Sequence, residues 1–502
     1  MRRRLIFWLT LLSVMAGSGA GAQELPNIVL ILADDLGYGD PGCYNKHSKI
    51  PTPHMDQLAA EGRRFTDAHS PSSVCTPTRY GILTGRYAWR TVLQKSVLWP
   101  WDPPLIKEER WTLPEMLRQA NYHTACIGKW HLGWNWKNKS GETIQTNLPA
   151  GHYDATARAT LSRSVDFNRP IEGGPIRHGF DYYFGDDVPN FPPYVFIEND
   201  HTLGIPTVDK PPDMFGNPGL MLAGWDLSQV MPALTQKACQ YISARQSKEE
   251  PPFFLYLSLT APHTPIAPSP HFIGKSAAGW YGDFVAQVDW TLGQVMQSLE
   301  RNGLRENTLV IFTSDNGSPQ RDGTHMHGET GSVKQFGHDP SFPWRGMKSD
   351  IWEGGHRVPF IVSWPGKTPP GTISTEPLIL TDLMQTLAHV IGADLPTNAA
   401  EDSYNMLPVL LGDTVETPIR EVLVHHSGNG MFAIRQGHWK LILGKESGGF
   451  TKYTPPVDAP KGQLYNLATD PREENNLYLD HPEKVQALEA KLKAIKAQGA
   501  GD

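Results

Sequence analysis

The sequence predicts an α/β fold: a large mixed, mainly parallel sheet sandwiched by helices, with a smaller C-terminal antiparallel sheet plus helix. Three observations carry that reading. Asn27-Ile28-Val29-Leu30-Ile31-Leu32 is a near-continuous apolar run, as a strand buried on both faces requires. Apolar runs of strand length then alternate with helix-spaced stretches as far as Phe312. From Glu421 onward the pattern changes to short strands separated by Gly-rich turns.

The first strand ends in Ala33-Asp34-Asp35-Leu36-Gly37, which puts two carboxylates at its C-terminal end, where ligands of open α/β sheets gather. A helix is expected over 55–61 and a short strand over 64–66. A helix over 111–120 leads to a strand over 123–127, and 253–259 is another β-rich run. The helix expected over 281–302 carries Phe284, Val288, Leu292 and Met296 at helical spacing. A strand over 308–312 closes that unit and runs into Ser314-Asp315-Asn316-Gly317. Further strands are expected over 421–426, 431–435, 438–443 and 463–466, then a Lys- and Ala-rich helix over 482–497. Residues 148–227 are Pro- and Gly-rich and aromatic, and read as loops at the mouth of a pocket.

The chain has 502 residues, 39% hydrophobic and 19% charged, which suits one large globular domain plus a smaller companion. Its 47 Gly and 43 Pro favour turns over a helical bundle. Arg2, Arg3 and Arg4 precede an apolar run over 5–15 and then Ala20-Gly21-Ala22, the pattern of a secretory signal peptide. The expected organisation is a signal peptide over 1–22, a main domain over 23–418 and a C-terminal α+β subdomain over 419–502. The protein would be exported, to the periplasm or beyond, and no run is long enough for an integral membrane span. Removing the three arginines moves the formal charge from −7 to −10, with 42 basic against 52 acidic residues. That balance argues against nucleic acid as a partner. Four cysteines (Cys43, Cys75, Cys126 and Cys239) are too few for a disulfide scaffold and match no zinc spacing.

Two groups of residues point to chemistry. Asp34, Asp35, Asp315 and Asn316 stand at the ends of two expected strands. A one-sided set of carboxylates repels itself unless a cation neutralises it. All-oxygen ligands select a hard ion, Ca²⁺ or Mg²⁺, over zinc. Either pair alone reads equally well as a helix cap. The second group is Cys75-Thr76-Pro77-Thr78-Arg79, continuing to Leu83-Thr84-Gly85-Arg86.

That segment resembles the formylglycine-dependent sulfatases of the alkaline phosphatase superfamily, whose signature is C-x-P-x-R followed by a T-G pair. The likeness extends from Asn27 to about Leu477. It takes in the Asp-Asp strand end, Gly128-Lys129-Trp130-His131, Ser314-Asp315-Asn316-Gly317, Arg345-Gly346-Met347-Lys348 and Asp470-Pro471. Arylsulfatase and N-acetylgalactosamine-6-sulfatase types are the most similar. The resemblance implies that a maturase oxidises Cys75 to formylglycine (3-oxoalanine), whose hydrate can take up sulfate on one hydroxyl and expel it with the other. It implies a metal site of Asp34, Asp35, Cys75, Asp315 and Asn316 holding Ca²⁺ rather than Mg²⁺. It also implies a catalytic set of Cys75, Arg79, Lys129, His131, His263 and Lys348. In that set Arg79 orients the nucleophile, and Lys129 and Lys348 bind sulfate oxygens. His263 and Lys348 protonate the leaving alcohol, and His131 takes a proton for sulfate release; the histidine roles are interchangeable. The implied activity is hydrolysis of sulfate esters, exo-acting on sulfated mono- or oligosaccharide.

Two alternatives stand beside it. A phosphatase or phosphonate monoester hydrolase on the same fold would commonly carry Asp-x-x-x-His, which this chain lacks. A non-catalytic binder of sulfated glycans would lack a working nucleophile. The 181–194 loop, His201 and the His338-Asp339 turn are the expected specificity elements. Trp99, Trp101, Trp111, Trp130, Trp134 and Trp136 read mainly as packing, the Glu353-Gly354-Gly355-His356-Arg357-Val358-Pro359 segment as scaffolding, and His425-His426 has no partner spacing for a metal.

Overall fold

The computed structural model describes residues 24–246 and 250–498; the expected signal peptide lies outside them. A ten-stranded mixed sheet forms the centre. Its order is Thr372–Ser374, Arg63–Phe65, Phe360–Ser363, Thr308–Ser314, Asn27–Asp34, Phe253–Pro262, His123–Gly128, Tyr182–Gly185, Ile197–Glu198 and His201–Thr202. The five strands from Thr308–Ser314 to Tyr182–Gly185 pair in parallel. Phe360–Ser363 and the Ile197–Glu198 edge pair antiparallel.

The first strand is central and wholly buried. Ile28, Leu30 and Leu32 point into one apolar layer, while Val29, Ile31 and Ala33 point into the other. That alternation is why the run is continuous in sequence: both faces are covered. Helices Pro53–Glu61, Val230–Ser243 and Gly279–Arg301 supply the second layer, through Met55, Leu234, Val288 and Leu292 among others. Cys75–Thr84, Leu113–Gln119 and Leu383–Ile391 supply the first.

Several expectations shift. The helix read from 111 starts at Leu113, because Thr112 caps it: its hydroxyl accepts from Glu115 N–H, and the Glu115 carboxylate accepts from Thr112 N–H. The 148–227 stretch is not all loop. Ala155–Ser162 is helical, Asp154 capping it, and Tyr182–Gly185 extends the main sheet. Phe360–Ser363 and the Cys75–Thr84 helix were not legible as elements. All four cysteines are free thiols.

The C-terminal sheet has four antiparallel strands, Val422–His426, Phe432–Gln436, Trp439–Ile442 and Gln463–Asn466. Helix Pro482–Ala497 packs Val485, Leu488 and Leu492 onto its Val424, Ile434, Leu441 and Leu464. Backbone hydrogen bonds tie this sheet to the main body beside Cys75: Ser73 N–H donates to His426 C=O, Ser349 N–H to Ser73 C=O, and Gly428 N–H to Ser349 C=O.

A buried polar bridge reinforces that junction. Lys440 Nζ lies 2.9 Å from both Glu353 Oε1 and Glu473 Oε1, and 3.1 Å from His356 Nε2. His356 Nδ1 faces His69 Nδ1 at 3.0 Å, and His69 Nε2 faces Asp67 Oδ1 at 2.7 Å. The Asp67 carboxylate requires a proton on His69 Nε2, so His69 Nδ1 accepts from His356 Nδ1–H and His356 Nε2 accepts from Lys440. His425 stacks on His356 with ring centroids 3.8 Å apart. His69, His356 and His425 are close enough to share an ion, but the ring nitrogens of His69 and His356 are engaged in this relay. Burial holds all three histidines below their ordinary pKa and therefore neutral.

Lys440→Met removes the one ammonium that Glu353, Glu473 and His356 share. It is expected to destabilise the fold by about 3–5 kcal/mol, the cost of leaving a buried charge without its partner. Urea unfolding of the variant measures it, and a loss under ~1 kcal/mol would mean that the bridge is not a net tie between the two parts.

Candidate active site

The site lies at the C-terminal ends of the parallel strands, as expected for an open α/β sheet. Asp34 ends the first strand and Asp35 follows with φ 70, while Asp315 and Asn316 follow the neighbouring Thr308–Ser314 strand. All four side chains are buried. Asp35 N–H donates to Asp315 Oδ1 at 3.2 Å, and Asn316 Nδ2 donates to Asp35 Oδ1 at 2.7 Å. Gly317 is needed next: a Cβ there would lie 2.0 Å from Gly354 C=O. The Glu353–His356 glycines therefore do scaffold the loop, as its Gly317 N–H donates to Gly355 C=O.

Cys75 is the first residue of the buried Cys75–Thr84 helix, which ends at Gly85 in the left-handed conformation. The C-x-P-x-R spacing has a local physical reason. Pro77 sits in the first turn, where helical N–H groups have no intrahelical partner. Arg79 is four residues after Cys75 and so shares its face. The positive end of the helix is directed at the group on Cys75.

Three cations meet three carboxylates around that thiol. Arg79 Nη2 lies 2.7 Å from Asp315 Oδ2 and 3.5 Å from Asp34 Oδ1. Lys129 Nζ lies 2.7 Å from Asp34 Oδ2, and Lys348 Nζ lies 2.6 Å from Asp35 Oδ1. Cys75 Sγ is 3.6 Å from Asp34 Oδ1 and 3.4 Å from Lys348 Nζ. Gly128 places Lys129: its φ of 112 suits glycine, and a Cβ would meet Ser258 C=O at 1.8 Å. Ser258, which the sequence reading missed, receives Arg79 Nη1–H and donates to Lys129 C=O.

Burial raises the Cys75 thiol to about 12, although Lys129 and Lys348 pull the other way. The unmodified residue is therefore a protonated thiol at neutral pH and a poor nucleophile. Burial also raises Asp35 to about 6, against the pull of Lys348 and with the push of Asp34 and Asp315. Asp34 stays below its ordinary value, since Lys129, Arg79 and Lys348 together outweigh its burial.

His131 and His263 occupy the wall of the pocket. His131 Nε2–H donates to Leu98 C=O at 2.9 Å, which leaves Nδ1 buried without a partner. His263 Nδ1–H donates to Thr264 C=O at 2.5 Å, and its Nε2 lies 3.8 Å from Asp35 Oδ2. Burial and the neighbouring lysines hold both well below their ordinary pKa. Each is thus a neutral imidazole with one nitrogen available.

The structure brings every one of the sequence-designated residues into this cluster. Cys75, Asp35, His131, His263 and Lys348 line a cavity of about 460 Å³, while Asp34, Arg79, Lys129, Asp315 and Asn316 lie beneath its surface. The specificity expectations fare differently. Val188, Asn190 and Phe191 of the 181–194 loop line the cavity. His201 is an edge residue paired with Asp200, and His338 is buried with Nε2 2.7 Å from Asp40, so neither reaches it. Trp99 lines the cavity and stacks on Phe191, whereas Trp101, Trp130, Trp134 and Trp136 are buried in packing. Lys95 and Arg321, which no sequence signal marked, add cations to the cavity wall.

A hard divalent ion fits the donors. Asp34, Asp35, Cys75 and His263 offer atoms within 4.8 Å of one another, and Asn316 Oδ1 is buried with no hydrogen-bond partner beside them. An orphaned amide oxygen among carboxylates suits an oxygen-binding cation.

Comparison with known proteins identifies a sulfuric ester hydrolase of the alkaline phosphatase-like fold. The chain belongs to the sulfatase family: the family model described as Sulfatase matches residues 26–393. A second, N-sulphoglucosamine sulphohydrolase, C-terminal, matches residues 346–498. The N-acetylgalactosamine-6-O-sulfatase of Bacteroides thetaiotaomicron is 34% identical, over 97% of this chain and 96% of its own. Human arylsulfatase A is 32% identical, over 96% of this chain and 89% of its own. A solved structure from work on glycosaminoglycan metabolism by Bacteroides thetaiotaomicron superposes with a TM-score of 0.78 at 32% identity, covering 95% of this chain and all of that one.

If the oxygen cluster holds a divalent ion, millimolar Ca²⁺ added to chelator-treated protein raises Tm by about 2 °C, and Asp35→Asn abolishes the shift. An unchanged Tm with Ca²⁺ and Mg²⁺ alike, in differential scanning calorimetry, would remove the ion from the account.

Proposed function

We propose that the cavity hydrolyses sulfate esters of carbohydrate with a formylglycine made from Cys75, beside a divalent ion held by Asp34, Asp35, Asp315 and Asn316. The observation that carries this reading is the thiol itself. It is buried, protonated and set at a helix start between a carboxylate and an ammonium, an arrangement unsuited to thiolate chemistry. Once formed, the formylglycine hydrate supplies a hydroxyl nucleophile with a second hydroxyl for sulfate release, and the ion supplies positive charge. Ca²⁺ is favoured over Mg²⁺ by family likeness.

The chain's own groups do the rest. Lys348 is the ammonium at the cavity surface and meets a sulfate oxygen; Lys129, held by Asp34, is the second ammonium. Arg79 fixes Asp315 and Asp34 and so the position of residue 75. A bound sulfate monoester brings negative charge to both histidines and raises their pKa, so that either can carry a proton in the complex. His263, next to Asp35 and Lys348, is the donor to the leaving oxygen, and His131 Nδ1, also in the cavity wall, is the acceptor. Trp99 and Phe191 stack on each other in the cavity wall and give it an apolar side. A cavity of about 460 Å³ fits one sugar unit, which favours exo action. The relatives named for N-acetylgalactosamine 6-sulfate make a 6-sulfated hexosamine the first substrate to try. On this reading the protein is exported and Cys75 is converted by a formylglycine-generating maturase. Among the described residues no helix is long and apolar enough to cross a membrane.

Matured enzyme should hydrolyse aryl and sugar sulfates in preference to the matching phosphates. His263→Ala should lower kcat/KM on sugar sulfates by about 10²–10⁴-fold, but on an activated aryl sulfate by less than about tenfold, because only a poor leaving group needs the proton. Equal losses on both would take the acid role from His263, and turnover of phosphates alone would overturn the function.

A further inference from the structure

We propose that a second cleft, outside the catalytic cavity, binds an uncharged sugar unit joined to the sulfated one. This deepens the carbohydrate reading above and rests on it. The cleft measures about 550 Å³, and its lining includes Trp280, Phe336, His325, Met326, Asp213 and Asp322.

Its position follows from the chain. Asp213 lines the cleft and Phe215, two residues on, lines the catalytic cavity; Asp322 lines the cleft and Arg321 lines the cavity. Two segments of the chain thus run from the cleft to the cavity. A third tie fixes the side: Ile266 N–H donates to Met326 C=O at 2.6 Å, and Ile266 follows His263 by three residues. The cleft therefore adjoins the His263 side of the cavity, where the leaving oxygen and the rest of the saccharide are placed.

Its chemistry suits a sugar. Trp280 is 43% exposed and Phe336 40% exposed, and among the described tryptophans Trp280 alone is classed as exposed. Both are seated against backbone. A Cβ on Gly279 would lie 2.8 Å from the Phe336 ring, and one on Gly323 would lie 2.6 Å from Trp280 Cβ. Exposed aromatic surface of this kind stacks on the apolar face of a pyranose. Asp213 and Asp322 offer carboxylate acceptors for hydroxyl groups, and among the described residues no lysine or arginine lines the cleft, His325 being the basic side chain there. A uronate or a second sulfate would meet like charge there, so the occupant is a neutral sugar. Asp322 is itself fixed, its carboxylate accepting from Thr324 N–H and from Gln335 Nε2–H.

The test uses full-length, formylglycine-bearing enzyme. Its probes are the sulfated monosaccharide it turns over best, the same unit extended by one neutral hexose, and that unit extended by one hexuronate. The neutral extension should raise kcat/KM by about tenfold, a gain the uronate does not give. Trp280→Ala and Phe336→Ala should each erase the gain while leaving the monosaccharide rate within about twofold, which also shows that the variants fold. Asp213→Lys should turn the uronate extension from neutral or harmful into favourable. A gain that survives both aromatic substitutions, or a uronate extension as good as the neutral one in the native enzyme, would overturn the proposal and leave the sulfatase reading intact. Failure to release sulfate from any sugar would overturn the reading beneath it.

Discussion

The structure turns on one electrostatic constraint: Asp34, Asp35 and Asp315 are packed with Arg79, Lys129 and Lys348 around a single thiol, all buried. Charges removed from water in this way are tolerable only when each has a partner at hydrogen-bond distance. The parallel sheet meets that demand. It delivers the first two carboxylates from one strand end and the third from its hydrogen-bonded neighbour, so their separation is set by the strand spacing. The cations come from a helix, from the residue after His123–Gly128, and from the loop ahead of Glu353–His356. Five separate segments must therefore be in register before the charges balance.

Four of the thirteen described non-glycine residues with positive φ meet in the same place. Asp35, Ser96, His131 and Ser349 all have positive φ, and all four line the catalytic cavity. Each such residue costs about 1–3 kcal/mol and persists only where its surroundings fix it. Ser349 shows how: its N–H donates to Ser73 C=O, and its C=O accepts from Gly428 N–H of the C-terminal part. The small antiparallel sheet thus buttresses both Lys348 and the loop that leads into Cys75. The relay from Lys440 through His356 and His69 to Asp67 anchors that buttress from below.

Much of this was legible in the sequence because it is local. Continuous apolar runs mark strands with two covered faces, and the carboxylates that follow them mark the strand ends. Cys75 and Arg79 are one helical turn apart, so a five-residue pattern holds their geometry. Phe360–Ser363 was missed because it is four residues long and follows the short Glu353–His356 helical turn, and it is recognised as a strand by pairing with Thr308–Ser314 and Arg63–Phe65. Tyr182–Gly185 was hidden within a Pro- and Gly-rich stretch for the same reason. The meeting of His69, His356 and His425 joins positions between 69 and 356 residues apart, which no spacing rule reaches. His338 was misjudged because a turn of Gly, His, Asp and Pro reads as surface, whereas Asp40 draws the imidazole inward.

The proposed chemistry requires that residue 75 is not a thiol in the working enzyme. The most direct measurement is mass analysis of the peptide containing residue 75, taken from active protein purified from its native host and treated with a thiol alkylator and with a hydrazide. With formylglycine at residue 75, the sulfur is gone, alkylation fails and the hydrazide adduct forms in proportion to activity. Fully active protein in which Cys75 is alkylated quantitatively would contradict it.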